Sequence, residues 1–286
     1  MNNLFIIGNG FDLAHNIESK YEHFKSYLKS NFPDEISNWK EEDSFNGDIS
    51  EDSGMMFRLL FKAIDRTEGG EWSNLEETLG VLDYDDFLRC NGYQNDDILL
   101  ETLESRTEVF REEFDTWVNE ISIEKAKKKV DFAKFIGVND LFINFNYTRT
   151  LEDVYNVDEG AILHIHGVSG DRVEFGHGAD HRDLASEGER SIHEKFRKST
   201  DGIVEKHGEF LKKRIPAGEI TQIYAFGFSY GYVDQVYLRE IFKGLGDTRG
   251  ITWFFNSFDI EREEEFKEIL EECGFNGKHA RYTVES

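Results

Sequence analysis

The residues able to do chemistry in this chain stand at the ends of short apolar runs. Gly8-Asn9-Gly10-Phe11-Asp12 closes LFII near the N-terminus, and Asn146-Tyr147-Thr148-Arg149 closes DLFINF. His164-Ile165-His166-Gly167 closes AIL, Gly176-His177-Gly178 closes VEF, and Gly227-Phe228-Ser229-Tyr230-Gly231 closes TQIYAF. Glycines directly after a strand permit positive φ and let a ligand approach the backbone closely. The N–H groups of such a turn, and of a helix that follows it, favour an anion. The third glycine of the dinucleotide fingerprint is absent after Gly8 and Gly10, so this pair alone also fits a tight strand-to-helix turn. Asp12 would repel a pyrophosphate unless it faced a ribose hydroxyl; its other reading is a helix N-cap.

Four of the nine histidines fall between residues 164 and 181. His164 and His166 alternate along a strand and so point to one face. One reading packs such a histidine inside with its hydrogen bonds satisfied. His166 precedes a glycine at a strand end and is taken as functional, with His177 as a second polar contact. His164, His166, His177 and His181, with Asp180 or Asp183, offer metal-ligating types without a recognised ligand spacing. Gly227-Phe228-Ser229-Tyr230-Gly231 also fits the GxSxG nucleophile elbow, and Asp259 and His279 follow in triad order. Asp259 suits the cap of a helix beginning FDIEREEEF better. Ser73 with Glu76 reads as a capping box, while Glu76 or Glu77 could reach a pocket. Asp234 reads equally as a helix cap or a ligand contact.

These clusters need a scaffold. Strand-like runs lie at 3–8, 140–146, 161–166, 173–176, 221–228, 251–256 and 280–284, with helical patterns near 149–155, 186–214, 232–243 and 259–273. Alternation of this kind predicts an α/β fold: a Rossmann-like, mostly parallel sheet with helices on both faces. Ligands of such sheets bind beyond the carboxyl ends of the strands, where the polar clusters fall. The expected division is 1–18 with 138–286 as the Rossmann-like unit and 19–137 as a large helical insertion or cap. Within the insertion, Met55, Met56, Leu59, Leu60 and Ala63 form one stripe, 98–121 a long helix and 125–136 another. The acidic stretch 41–54 reads as a mobile loop.

Composition narrows the function classes. The 286 residues carry 33 basic and 58 acidic side chains, a formal net charge of −25. Such a surface repels nucleic acid, whose binding depends on neutralising phosphates; Arg149, Arg172 and Arg182 leave room for a local basic pocket. Two cysteines, Cys90 and Cys273, exclude a cysteine-based zinc module. No run approaches the roughly 20 apolar residues of a membrane span, and no signal peptide is seen. The expectation is a cytoplasmic protein that does not engage membranes.

IIGNGFDLAHNIESKYEHF, WSNLEETLG, FNYTRTLEDVY, HIHG, FGHG and GFSYGYVD, in that order, resemble the bacteriophage abortive infection AbiH family. The resemblance implies a bacterial antiphage protein. The order of a Gly-x-Gly loop, an Asn-Tyr strand end, a His-Gly strand end and a late Gly-x-Ser loop is also similar to sirtuin-like (SIR2) NAD-binding domains. That similarity implies NAD as ligand or substrate, with Gly8, Asn9, Gly10, Asp12, Tyr147, His177, Ser229 and Asp234 around it. It makes Asn146 the ribose contact that places a water, and His166 the general base of NAD hydrolysis. Thr148 stands where that motif has Asp, and the zinc cysteines of deacylases are missing, which disfavours deacylation. Nucleotide binding without turnover is the alternative, ahead of a serine hydrolase or nuclease. A phage-derived trigger and a homo-oligomer are the expected partners beyond the nucleotide, and the insertion could restrain the pocket until infection.

Overall fold

A computed structural model of the protein describes residues 2–36, 61, 64, 72–81, 96–179, 187–217 and 219–284. Its centre is a sheet of six parallel strands: β1 Asn2–Ile7, β2 Leu141–Asn144, β3 Ile162–His164, β4 Ile220–Phe226, β5 Thr252–Asn256 and β6 Lys278–Tyr282. The spatial order is β3-β2-β1-β4-β5-β6. The chain therefore builds outward from β1 in one direction and then, from β4, in the other. This is the doubly wound order, and its switch point lies between β1 and β4.

The strands read as near-continuous apolar runs because both sheet faces are covered. Successive side chains of β1 serve opposite cores. Leu4 and Ile6 join Ile143, Ile223, Ala225, Trp253 and Phe255 on one face, against Tyr237, Leu238, Ile241 and Phe242 of the helix Gln235–Leu245 and Phe266 and Leu270 of Glu263–Glu272. Phe5 and Ile7 join Phe142, Tyr224 and Phe226 on the other, against Phe11, Phe132, Leu151 and Tyr155. Each such side chain removed from water contributes roughly 1.5–3 kcal/mol. Helices thus lie on both faces of a parallel sheet, as the alternation of patterns predicts.

The chain divides into two compact units. One comprises Met1–Ser19, Ile121–Val173 and Ser199–Ser286 and holds the whole sheet. The other comprises Lys20–Glu120 and Glu174–Lys198. The long helix Asp96–Glu120 belongs to the second unit and buries Phe110, Phe114, Trp117 and Val118.

Two local expectations are corrected. Residues 173–176 form no strand: Phe175 stacks on Phe114 at 4.0 Å between ring centres, and Gly176 turns at φ 140°. Residues 125–136 keep only the turn Val130–Ala133 as helix. Lys125 and Lys129 would oppose like charges one helical turn apart, so the lysine run stays open and only Phe132, Phe135 and Ile136 are drawn to the core. The stretch 41–54, the stripe residues Met55, Met56, Leu59, Leu60 and Ala63, Cys90, Asp180, His181, Arg182 and Asp183 lie outside the described residues.

Candidate functional site

The first strand end shows what its glycines are for. A Cβ on Gly8 would stand 2.5 Å from the Gly227 carbonyl oxygen, and one on Gly10 would stand 2.6 Å from the Gly227 Cα. Gly8 N–H donates to the Phe226 carbonyl and Gly10 N–H to the Gly227 carbonyl, each at 3.0 Å. Two loops at the switch point therefore meet backbone to backbone. Gly227 completes the contact at φ 63°, a conformation that favours glycine.

The second strand end is built around Asn144. Its Oδ1 accepts the Asn146 N–H at 3.0 Å, a side-chain turn two residues on. Asn146, 5% exposed, donates its amide to the Gly8 carbonyl at 3.0 Å, tying β2 to β1. Beneath it lies Asp12, fully buried. Asp12 accepts the Thr148 hydroxyl at 2.7 Å and the Thr150 hydroxyl at 3.0 Å. Burial pushes its carboxyl up to about 6, against the pull of those donors. Asp12 is thus neither the cap of its helix nor a group presented to solvent.

The third strand end carries His164 and His166. His164 Nε2 meets Glu152 Oε1 at 2.9 Å, and its Nδ1 lies 3.4 Å from the Asn144 amide nitrogen. His166 is 4% exposed, and its Nε2 meets Asp234 Oδ1 at 3.2 Å. Phe145 and Tyr237 present ring edges to it at 5.6 and 5.5 Å, with Tyr147 at 6.4 Å. Asp234 sits at the start of the helix Gln235–Leu245 without a capping hydrogen bond from its side chain. Its carboxylate orients the histidine instead, and donation of Nε2–H to it leaves the lone pair on Nδ1.

A crevice of about 460 Å³ opens over β1, β4 and β5, lined by Gly10, Asn16, Lys129, Gly227, Asn256 and Asp259 among others. A neighbouring hollow of about 300 Å³ shares Gly10, Gly227, Phe258 and Asp259 with it and adds Ser229 and Arg262. Burial pushes the Asp259 carboxyl up to about 6, opposed by Arg262. Among the expected residues, Gly10 and Ser229 line this space. Asn9 is exposed and accepts the Ser19 hydroxyl at 2.5 Å. Asn256 and Lys129 were not foreseen. Asn256 could have been, because it closes β5 as Asn146 closes the run after β2.

Other assignments change. Asp259 is not a helix cap: Glu263–Glu272 begins after Arg262. His279 lies against Phe255 and Phe275 with its Nε2 buried and unpartnered, so no Ser229–His279 pair forms. The helix Leu75–Leu79 starts at Asn74 without a side-chain cap, and Glu76 pairs instead with buried Lys198 at 2.7 Å and accepts Gly176 N–H at 2.9 Å. His177 belongs to that same second unit. Its Nε2 donates to the His193 carbonyl and its Nδ1 accepts Ala179 N–H, while burial and the adjacent His193 push it down to about 3. It is held neutral and fully satisfied. Arg149 pairs with Glu159. Among the described residues no cluster of three or more metal-ligating side chains occurs, and no helix is long and apolar enough to cross a membrane.

The strand ends that carry these groups fall inside the segment matched by a family model. That model, described as bacteriophage abortive infection AbiH, matches residues 4–257. No curated protein and no solved structure matches the chain. Covering most of the sequence and five of the six strands, the match places the chain in the bacteriophage abortive infection AbiH family.

Proposed function

We propose that the Rossmann-like unit binds NAD or a related nucleotide and hydrolyses the nicotinamide–ribose bond as the effector step of antiphage defence. Family membership implies the abortive-infection role. The observation that carries the nucleotide reading is the crevice at the switch point between β1 and β4, bounded by Gly10 and Gly227. Its volume falls within the roughly 300–1,000 Å³ of small-molecule sites. Its lining mixes Lys129 with Asn16, Asn256 and Asp259, which suits hydroxyls and ring edges as well as an anion. Buried His166, paired with half-buried Asp234, and the oriented Asn146 stand at the neighbouring strand ends of the same sheet edge.

In the proposed reaction a water oxygen bonds to ribose C1′ as the C1′–nitrogen bond breaks. The bonding pair leaves with nicotinamide and cancels its positive charge. The extra proton of the water passes to His166 Nδ1, and Asp234 steadies the imidazolium through Nε2. Asn146, whose amide donates to the Gly8 carbonyl, offers its Oδ1 to orient the water. The gain comes from holding the water and the ribose together.

The test is nicotinamide release from NAD by purified protein, alone and with phage lysate. Wild type is expected to release it, and Asn146→Ala and His166→Ala to fall by about 10²-fold or more with NAD binding retained. No release under either condition, with no heat of NAD binding, overturns the nucleotide reading. Binding without release makes the protein a nucleotide sensor.

A further inference from the structure

We propose that Asp12 is a positioning residue for Asn146: its buried carboxylate gathers the Thr148 and Thr150 hydroxyls, fixing the turn after β2 that carries Asn146 in its working orientation. This rests on the functional reading of Asn146 above. The geometry is specific. Asp12 is 0% exposed and cannot touch a ligand in solvent. Thr148 Oγ1 lies 2.7 Å and Thr150 Oγ1 3.0 Å from its two oxygens, and the two hydroxyls lie 2.8 Å from each other. The Asn146 amide donates to the Gly8 carbonyl at 3.0 Å, and Asn144 holds the Asn146 backbone. The turn therefore cannot swing without breaking contacts to Gly8, Asn144 and Asp12.

What makes the inference more than a packing statement is the cost of the arrangement. Among the described residues no lysine or arginine pairs with Asp12. His164 acts on it through space and is itself bound to Glu152. On its own helix, His15 is committed to the Phe11 carbonyl and to Tyr155. A buried carboxylate without a cation opposes folding. The carboxyl is raised from 3.8 to about 6. Across that window the folded protein holds a proton that the unfolded chain has lost. Stability therefore falls as pH rises through it, and ionised Asp12 destabilises the fold at neutral pH. A group that served only the fold would be better neutral there; one that holds the turn carrying Asn146 through two hydroxyl donors is better ionised.

Asp12→Asn keeps the shape and removes the charge. Melting of full-length wild type and variant between pH 4.5 and 7.5, with phage protection and nicotinamide release on the same pair, tests the proposal. The variant is expected to melt higher than wild type at pH 7.5, with the gap closing toward pH 4.5. Protection is expected to be lost, and kcat to fall at least tenfold with KM little changed. A variant that melts no higher than wild type at pH 7.5, or one that melts higher and still protects, overturns it. If wild type releases no nicotinamide, the hydrolysis reading fails by itself, and melting with phage protection still decides the role of Asp12.

Discussion

Buried polar groups in the sheet unit are arranged in short relays, and the relay through Tyr155 shows what one atom is worth. His15 donates Nδ1–H to the Phe11 carbonyl and meets the Tyr155 hydroxyl with Nε2, both at 2.6 Å, while that hydroxyl accepts Lys129 N–H at 2.9 Å. Burial lowers His15 below the ordinary imidazole value, so it serves as a neutral spacer between two helices, Asn9–Ala14 and Thr150–Tyr155. Tyr155→Phe removes one oxygen and leaves a buried imidazole nitrogen and a backbone N–H without it. The expected cost is about 1–3 kcal/mol, read as a lower urea midpoint with an unchanged slope. At this scale the sequence is least legible. Asp12, Ser73 with Glu76, and Asp259 all fit capping rules when read in sequence. Their partners come from distant segments instead: Thr148 and Thr150 for Asp12, Lys198 and Gly176 for Glu76. A cap rule sees four neighbours in sequence, whereas a carboxylate answers to the donors that folding brings to it.

Elements were more legible, because the apolar runs of β1 to β5 each break at a glycine, asparagine or histidine at the strand's last residue or just after it. DLFINF and TQIYAF announce β2 and β4 by that break, and the same rule finds Asn256 at the end of β5. It fails for VEFG, where an aromatic face captures Phe175 and no strand neighbours it. The reason Gly8, Gly10 and Gly227 occur was not legible, since the contact joins loops more than 200 residues apart. Two positive-φ glycines separate its components. Gly227 (φ 63°) has no room for a Cβ, which would lie 2.3 Å from the Gly10 Cα; Gly246 (φ 71°) has nothing within 4 Å. Gly246→Ala is expected to cost the conformational penalty alone, about 1–3 kcal/mol. Gly227→Ala adds overpacking of about 1–3 kcal/mol and forces the switch-point loops apart. Urea unfolding of the two variants checks the difference, and equal losses would mean that the loops do not need their close approach.

For the whole molecule the dominant fact is charge. Family and fold class could be read from ordered strand-end motifs, but the strand order, and with it the crevice between β1 and β4, could not, since periodicity carries no information on which strands are neighbours. The net charge of −25 can be read directly and has a measurable consequence. Like charges distributed over one surface oppose the compact state. Exposed pairs such as Arg249–Asp247 and Arg262–Glu265 return roughly 0–1 kcal/mol each, too little to outweigh 25 unmatched acidic groups. Salt weakens both effects, but repulsion acts over many pairs at long range, and the Debye length shrinks from about 30 Å at 0.01 M to about 8 Å at 0.15 M. Screening therefore removes more repulsion than attraction. The melting temperature is expected to rise between 10 and 150 mM sodium chloride at pH 7.5, and the rise should be similar in sodium fluoride, since it comes from ionic strength rather than from a bound ion. A melting temperature that falls with salt would mean that paired charges, not the acidic excess, set the stability of the fold.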